Sequence, residues 1–572
     1  MTVPRFLRSI LAASLLAYAA GAHAETEPQG LAVLKVPYAS SLAGSYLAGR
    51  SADVARDLKA AATYFSAALA RDPDNPILLE RVLVLRIANG EIEAARELAD
   101  RLVTIDRLNP LARLLRSVQA FKNGEYELAR EEIEETAPAP LAILTSGLMS
   151  AWSEQATGKV DEALKTIREL SGPSWYGIFQ DYHQALIADL AGRKDEAEER
   201  ITAAFDADGS ALRVVEAYGV ILARVGKREE AIVGLRAFVA EQPNHPVIGS
   251  LLSALEAGVT PGPIASTPVE GAAEVLYGLG AAIGADQGTE LPAAYLHLSH
   301  YLKPDSDLTL MALGDLLFGA DRCEDALEIY DLVPVGSSLR RNAEIQSGLC
   351  LDVLERTDEA AKRLEALIAA NPEDLDAIAA LGNIYRGRER FAEAAEVYTK
   401  GIDTIDQPNA THWRLFYFRG VANERSKNWE QAEADLKKAL ELSPDQPQVL
   451  NYLGYSWVDM GINLEEGLDM IRKAVEQRPN DGYIVDSLGW AYYRLGRYDE
   501  AVEQLERAAE LRPEDPVIND HLGDAYWQVG RKLEATFQWS HARDLDPEPA
   551  DLEKIVKKLE SGLAANDSGR DG

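Results

Sequence analysis

The side chains of this 572-residue chain best suited to covalent or metal chemistry are two cysteines, Cys323 and Cys350, and two histidines three positions apart, His297 and His300. Paired thiols can close a disulfide, and histidines at i and i+3 share one face of a helix, the minimum for two metal ligands. The chain has eight histidines, and neither an acid nor a cysteine completes a ligand set around His297 and His300. Surface or packing roles are therefore expected for both, and no metal is predicted. The stretch GLGAAIG at 278–284 does not complete the G-x-G-x-x-G of a dinucleotide site and reads as close helix packing. Zinc-protease, redox dithiol, serine-hydrolase and P-loop motifs are likewise missing. Carboxylates cluster in runs such as EEIEE and RKDEAEER, where pairing with Lys or Arg three or four positions away on a helix surface is sufficient reason for them. No catalytic residue and no cofactor is expected.

The elements that carry these residues are set by a repeat. Alanine recurs every 34 residues at Ala61, Ala95, Ala129, Ala163, Ala197 and Ala231. It resumes near Ala294 and continues through Ala326, Ala360, Ala394, Ala432, Gly467, Ala501 and Ala535, fourteen units in all. In the clearest unit, Leu488, Gly489 and Tyr492 precede Ala501, Leu505, Ala508 and Pro513. Gly489 and Ala501 are small enough for two antiparallel helices to cross closely, Tyr492 and Leu505 fill the space beside the crossing, and Pro513 stops the second helix. This is tetratricopeptide spacing, and it predicts an all-α solenoid of helix-turn-helix units in two arrays. The first, residues 25–257, keeps the alanine but often loses the glycine of the first helix. The Pro/Gly-rich stretch 258–268 is expected to be a joint, 269–549 the second array, 550–563 a cap helix and 564–572 a disordered tail.

Such arrays curl so that the first helix of each unit lines a concave groove. Counted from the small residue at each crossing, the exposed groove positions are Asn383, Arg386, Glu424, Asn451 and Tyr455, followed by Trp490, Tyr493, Asp524 and Trp527. Asparagine amides can hydrogen-bond an extended peptide, and Trp or Tyr supply broad contact area. Packing between neighbouring units is the alternative for each. Cys323 falls in the first turn of one second helix and Cys350 late in the next first helix, ends that antiparallel packing brings together. A disulfide is predicted, with two small buried thiols as the alternative.

Residues 1–24, MTVPRFLRSILAASLLAYAAGAHA, have a basic start, an apolar run and an A-x-A site, the pattern of a secretory signal peptide. The expected location is the periplasm. The net charge of −34, from 58 basic and 92 acidic residues, argues against nucleic acid as a partner.

The segments NYLGYSWVDMGINLEEGLDMIRKAVEQRPNDGYIVDSLGWAYYRLGRYDEA (451–501) and INDHLGDAYWQVGRKLEATFQWSHA (518–542), with AAEVLYGLGAAI, resemble a family of exported bacterial tetratricopeptide proteins. That resemblance covers most of residues 270–550. It implies an adaptor that docks a periplasmic carboxyl-terminal processing protease and delivers substrates such as cell-wall hydrolases. Relatives are often outer-membrane lipoproteins, whereas no cysteine stands near the cleavage site here to be acylated. A scaffold for envelope polysaccharide or outer-membrane assembly is the alternative reading of the same architecture.

Overall fold

A computed structural model of the chain describes residues 41–243, 245–283 and 288–563. The expected leader (1–24), the expected tail (564–572) and Gly284 of the glycine-rich stretch lie outside these residues. Every regular element among the described residues is a helix, thirty in all. Twenty-eight of them pair into the fourteen expected hairpins, with α13 (Pro246–Glu256) unpaired and α30 (Pro549–Ser561) closing the series.

Local signals start and stop these helices. Asn109 accepts a hydrogen bond from Ala112 N at 3.1 Å and Pro110 occupies the first turn of α5 (Pro110–Asn123), while Gly124, at φ 77°, ends it. In the second array the same left-handed turn is made by Asp321, Glu355, Glu389 and Lys427, at φ of 59–62°.

The marker alanines, from Ala61 to Ala535, are completely buried at the helix crossings. The glycines opposite them are equally constrained: a β-carbon on Gly489 would lie 2.5 Å from Leu505 Cγ. Side chains of Tyr398 and Trp539 fill the corresponding space at Gly382 and Gly523.

Residues 268–302, expected to open the second array, fold back into the first. No helix forms between Glu256 and Pro268, after which α14 (Pro268–Ala282) and α15 (Glu290–Leu302) turn back. They pack into the inner face made by α3 (Pro76–Ala88), α5, α7 (Pro140–Ala156) and α9 (Tyr176–Leu190). Small residues allow this approach: the Trp152 indole occupies the space a β-carbon on Gly271 would need. At the centre the buried Glu274 carboxylate accepts from Tyr182 Oη at 2.8 Å and from Arg213 Nε and Nη2 at 2.7 and 2.6 Å. Tyr295 and Thr145 share a buried hydroxyl–hydroxyl bond of 3.0 Å, and Glu290 holds Arg81 at 2.6 Å. One apolar core joins residues between Ala52 and Ile221 to this hairpin, and a separate cluster runs from Val215 to Leu255.

The helices from α16 (Asp307–Gly319) to α29 (Lys532–Asp544) form the second array. Beyond Ala422 its apolar core divides into successive small clusters, the pattern of units that touch only their neighbours. The cap α30 buries Ile555 and half-buries Leu559, while Leu552 and Val556 of the same stripe stay exposed. No helix of the described residues is long and apolar enough to cross a membrane.

Candidate protein-binding groove

The inner face of the second array is built by α18 (Arg340–Val353), α20 (Leu375–Gly387), α22 (Trp413–Arg425), α24 (Pro447–Asp459), α26 (Gly482–Arg494) and α28 (Pro516–Gln528). Each of these first helices turns its glycine toward its own partner helix, which leaves the opposite face to the groove. Contacts between consecutive first helices form its floor. Tyr452 Oη donates to Glu424 at 2.7 Å, Arg494 pairs with Asp459 at 3.1 Å, and His521 Nδ1 lies 3.0 Å from Asp486.

The nine expected groove residues all fall on these helices, in three kinds of environment. Asn383, Arg386, Glu424, Asn451 and Tyr455 are half-buried along α20 to α24. Asn383 accepts from Tyr398 Oη at 2.9 Å, and Arg386 lies over the Phe418 ring at 4.8 Å. Burial raises the Tyr455 phenol above its ordinary range. Trp490 is stacked between Tyr493 at 4.8 Å and His521 at 4.1 Å, and Trp527 lies against Trp539 at 5.3 Å with Lys532 over its ring. Tyr493 and Asp524 were expected to be exposed and are not, at 6% and 5%. The reason lies in the following elements. Gln528 of the next first helix covers Tyr493, while Lys558 of the cap and the Trp539 indole close on Asp524 at 2.8 and 2.9 Å.

The aromatic and basic residues Arg414, Tyr417, Phe418, Arg425 and Tyr452 join the same surface and were missed from sequence. Their signal was available, because α22 carries aromatic residues at three consecutive positions, Phe416, Tyr417 and Phe418, of which one helix face can bury only part.

Cys323, at the start of α17 (Cys323–Asp331), and Cys350 of α18 are both buried and stand as free cysteines, the arrangement of the packed-thiol alternative. Burial raises both thiols above their ordinary value and favours the protonated, unreactive form. His297 and His300 line a cleft of about 480 Å³ with Ile92, Lys122 and Tyr301, at the seam between α15 and the first array. Burial lowers both, His297 to about 3, which keeps them neutral. Among the described residues no three His, Cys, Asp or Glu are arranged to hold a metal.

The fold defines the class of protein as a helical-hairpin solenoid, and parts of the chain match repeat families of that kind. Residues 46–110 and 351–411 match the tetratricopeptide repeat family, as do 414–446, and 489–530 match a TPR repeat family. The fold is an all-α solenoid of the tetratricopeptide type. It is 27% identical over 154 residues to a TPR repeat-containing protein of Pseudomonas aeruginosa, 26% of this chain and 24% of that one. It is also 25% identical over 378 residues to cellulose synthase operon protein C of Pseudomonas fluorescens, 62% of this chain and 27% of that one. The chain thus spans about a quarter of the length of these curated relatives. Among solved structures it is similar to the Cut9–Hcn1 assembly, with 14% identity, 91% of this chain and 96% of that chain covered, and a TM-score of 0.37.

Proposed function

We propose that this chain is a non-catalytic scaffold of the bacterial cell envelope that holds an extended polypeptide in the groove of its second array and presents it to a processing protease. The observation that carries the reading is the contrast between the two grooves. α14 and α15 fill the first, and no described helix packs in the same way across the inner face of α18 to α26. Tetratricopeptide arrays act as protein-binding scaffolds, and here the half-buried amide, phenol and guanidinium groups of α20 to α24 supply both hydrogen-bonding capacity and contact area. The signal-like residues 1–24 support export, and the resemblance of 451–542 supports the protease-adaptor role.

A scaffold for envelope polysaccharide assembly is the second reading, favoured by the likeness over 62% of the chain to a protein named for a cellulose synthase operon. Immobilised full-length protein and its Tyr417→Ala/Asn451→Ala variant, exposed to native envelope extract, separate the two. Retention of a processing protease by both proteins, with a cell-wall hydrolase retained only by the wild type, is the expected result. Recovery of polysaccharide-assembly components instead selects the second reading, and identical recoveries from both proteins remove the groove from the function.

A further inference from the structure

The second groove is not electrostatically uniform. The chain as a whole carries 92 acidic and 58 basic residues, yet between Arg386 and Lys427 eight basic residues stand against six acidic ones. Arg388, Arg390 and Arg419 of this stretch are paired with Asp352, Glu393 and Asp435. Among the described residues Arg386, Arg414 and Arg425 form no ion pair. Each rests instead on an aromatic ring: Arg386 on Phe418 at 4.8 Å, Arg425 on Phe391 at 4.8 Å and Arg414 on Trp413 at 5.5 Å.

A guanidinium laid on a ring is held in place while part of its N–H fork stays available, the geometry in which a carboxylate is received through two parallel hydrogen bonds. The placement along α22 matters as much as the charge. Arg414, Phe418 and Arg425 stand at i, i+4 and i+11, within about 40° of one another around the helix at 100° per residue. Arg386 reaches the middle of this stripe from α20. From Arg414 to Arg425 the stripe covers about 16 Å, the reach of roughly five extended residues.

We infer that this part of the groove receives a carboxylate-rich segment of a partner polypeptide, an extended run with Asp or Glu at two or more positions. The inference rests on the groove reading above and adds the chemical class of the ligand. On a chain of net charge −34 an anionic segment is repelled over most of the surface, so the same charges that attract it here also confine it here.

The test uses the full chain and a fluorescent peptide of alternating Glu and Ala long enough to span α22, with a Gln-for-Glu peptide as control. Fluorescence anisotropy is expected to show the Glu peptide binding at least about tenfold more tightly, since one charge-assisted pair is worth on the order of that factor. Arg414→Gln with Arg425→Gln removes two exposed side chains, and should abolish the preference without shifting the thermal melt. Arg386→Lys keeps the charge and should retain part of the preference. Equal affinity for the two peptides, or an undiminished preference in the double variant, overturns the inference. The groove reading is judged separately, by whether Tyr417→Ala weakens the Gln peptide.

Discussion

Gly454 and Gly467 meet backbone to backbone: a β-carbon on Gly454 would lie 2.7 Å from the Gly467 carbonyl oxygen, and one on Gly467 would lie 2.8 Å from that of Gly454. Gly467 holds the position where the other thirteen units have alanine, so Gly467→Ala restores the commonest residue of the array. At this crossing it should nonetheless destabilise, by about 1–3 kcal/mol, because neither facing atom is a side chain that can rotate away. Urea denaturation should show a lower midpoint, and an unchanged midpoint would mean that α24 and α25 (Leu464–Gln477) cross less closely than described.

Glu274 ties the α14–α15 hairpin to α9 and to α11 (Leu212–Val225). Removing its carboxylate leaves the half-buried Arg213 with Glu216 as its remaining ion-pair partner, at 2.6 Å, and without its two-point partner. Glu274→Ala is expected to cost about 3–5 kcal/mol, the range for breaking a buried ion pair from one side. Burial opposes ionisation of Glu274, but Arg213 overrides it and holds the carboxyl below its ordinary value. Stability from this group is therefore present above the unfolded value of about 4.3 and lost as pH falls through the folded one. Acid unfolding of residues 41–302, followed by hydrogen exchange, should begin at higher pH in the variant than in the wild type. Matching acid profiles would remove Glu274 from the lock.

The other end of the chain should respond to pH in the opposite sense. Burial pushes Asp524 up to about 6 against the pull of Lys558, and His521 is raised because Asp486 overrides the effect of burial. Both folded values exceed the unfolded ones, about 3.9 and 6.5, so the stability they contribute is complete at low pH and is lost as pH rises through them. Amides of α28 to α30, corrected for intrinsic exchange, should open less often below the Asp524 value of about 6 than above it. Greater protection at the higher pH would contradict the assignment.

How much of this was legible in advance differs from feature to feature, for physical reasons. The hairpins were, because the burial of Ala61, Ala95 and their equivalents is demanded by the same close crossing fourteen times. The turns were clear where Gly124 or Gly226 makes them and hidden where Glu355 or Lys427 adopts the same left-handed conformation without glycine. The return of α14 and α15 into the first groove does not follow from periodicity, because their hydrophobic spacing suits an ordinary unit. What distinguishes them is apolar and small residues on every side: Pro292 to Ser299 are buried without interruption, which an amphipathic surface helix would not allow. The misplaced groove residues, Tyr493 and Asp524, are covered by Gln528 and Lys558 from the elements that follow, and counting positions within a unit is blind to its neighbour.

The Cys323 and Cys350 thiols are free and buried, and burial favours their protonated form. Folded protein should therefore react slowly with an exposed-thiol reagent and release two equivalents only on denaturation. An oxidant that accepts two electrons and two protons should join them within the chain, closing a loop of about 27 residues and contributing on the order of 3 kcal/mol. Mass spectrometry after cleavage locates the link. Rapid labelling of either cysteine in the folded state would show that the α17–α18 contact is open to solvent.

Trp490 separates stability from recognition. Its indole is sandwiched between Tyr493 and His521, nearly parallel to both at 10° and 15°, and its N–H points to Asp459 at 3.4 Å. Those contacts join α26 to α24 and α28, so the ring serves mainly to hold three units in register and only its remaining edge faces the groove. Trp490→Ala should lower the stability of the second array by about 2–4 kcal/mol, somewhat less than for a fully buried tryptophan. It should also free His521 from its stack. By contrast Tyr455→Ala, at a half-buried phenol with no stacking partner, should leave the melt nearly unchanged and weaken peptide binding. Paired thermal melts and anisotropy titrations of the two variants test this division of labour. If Trp490→Ala abolishes binding at unchanged stability, the tryptophan belongs to the ligand surface and the register of the last three units is held by something else.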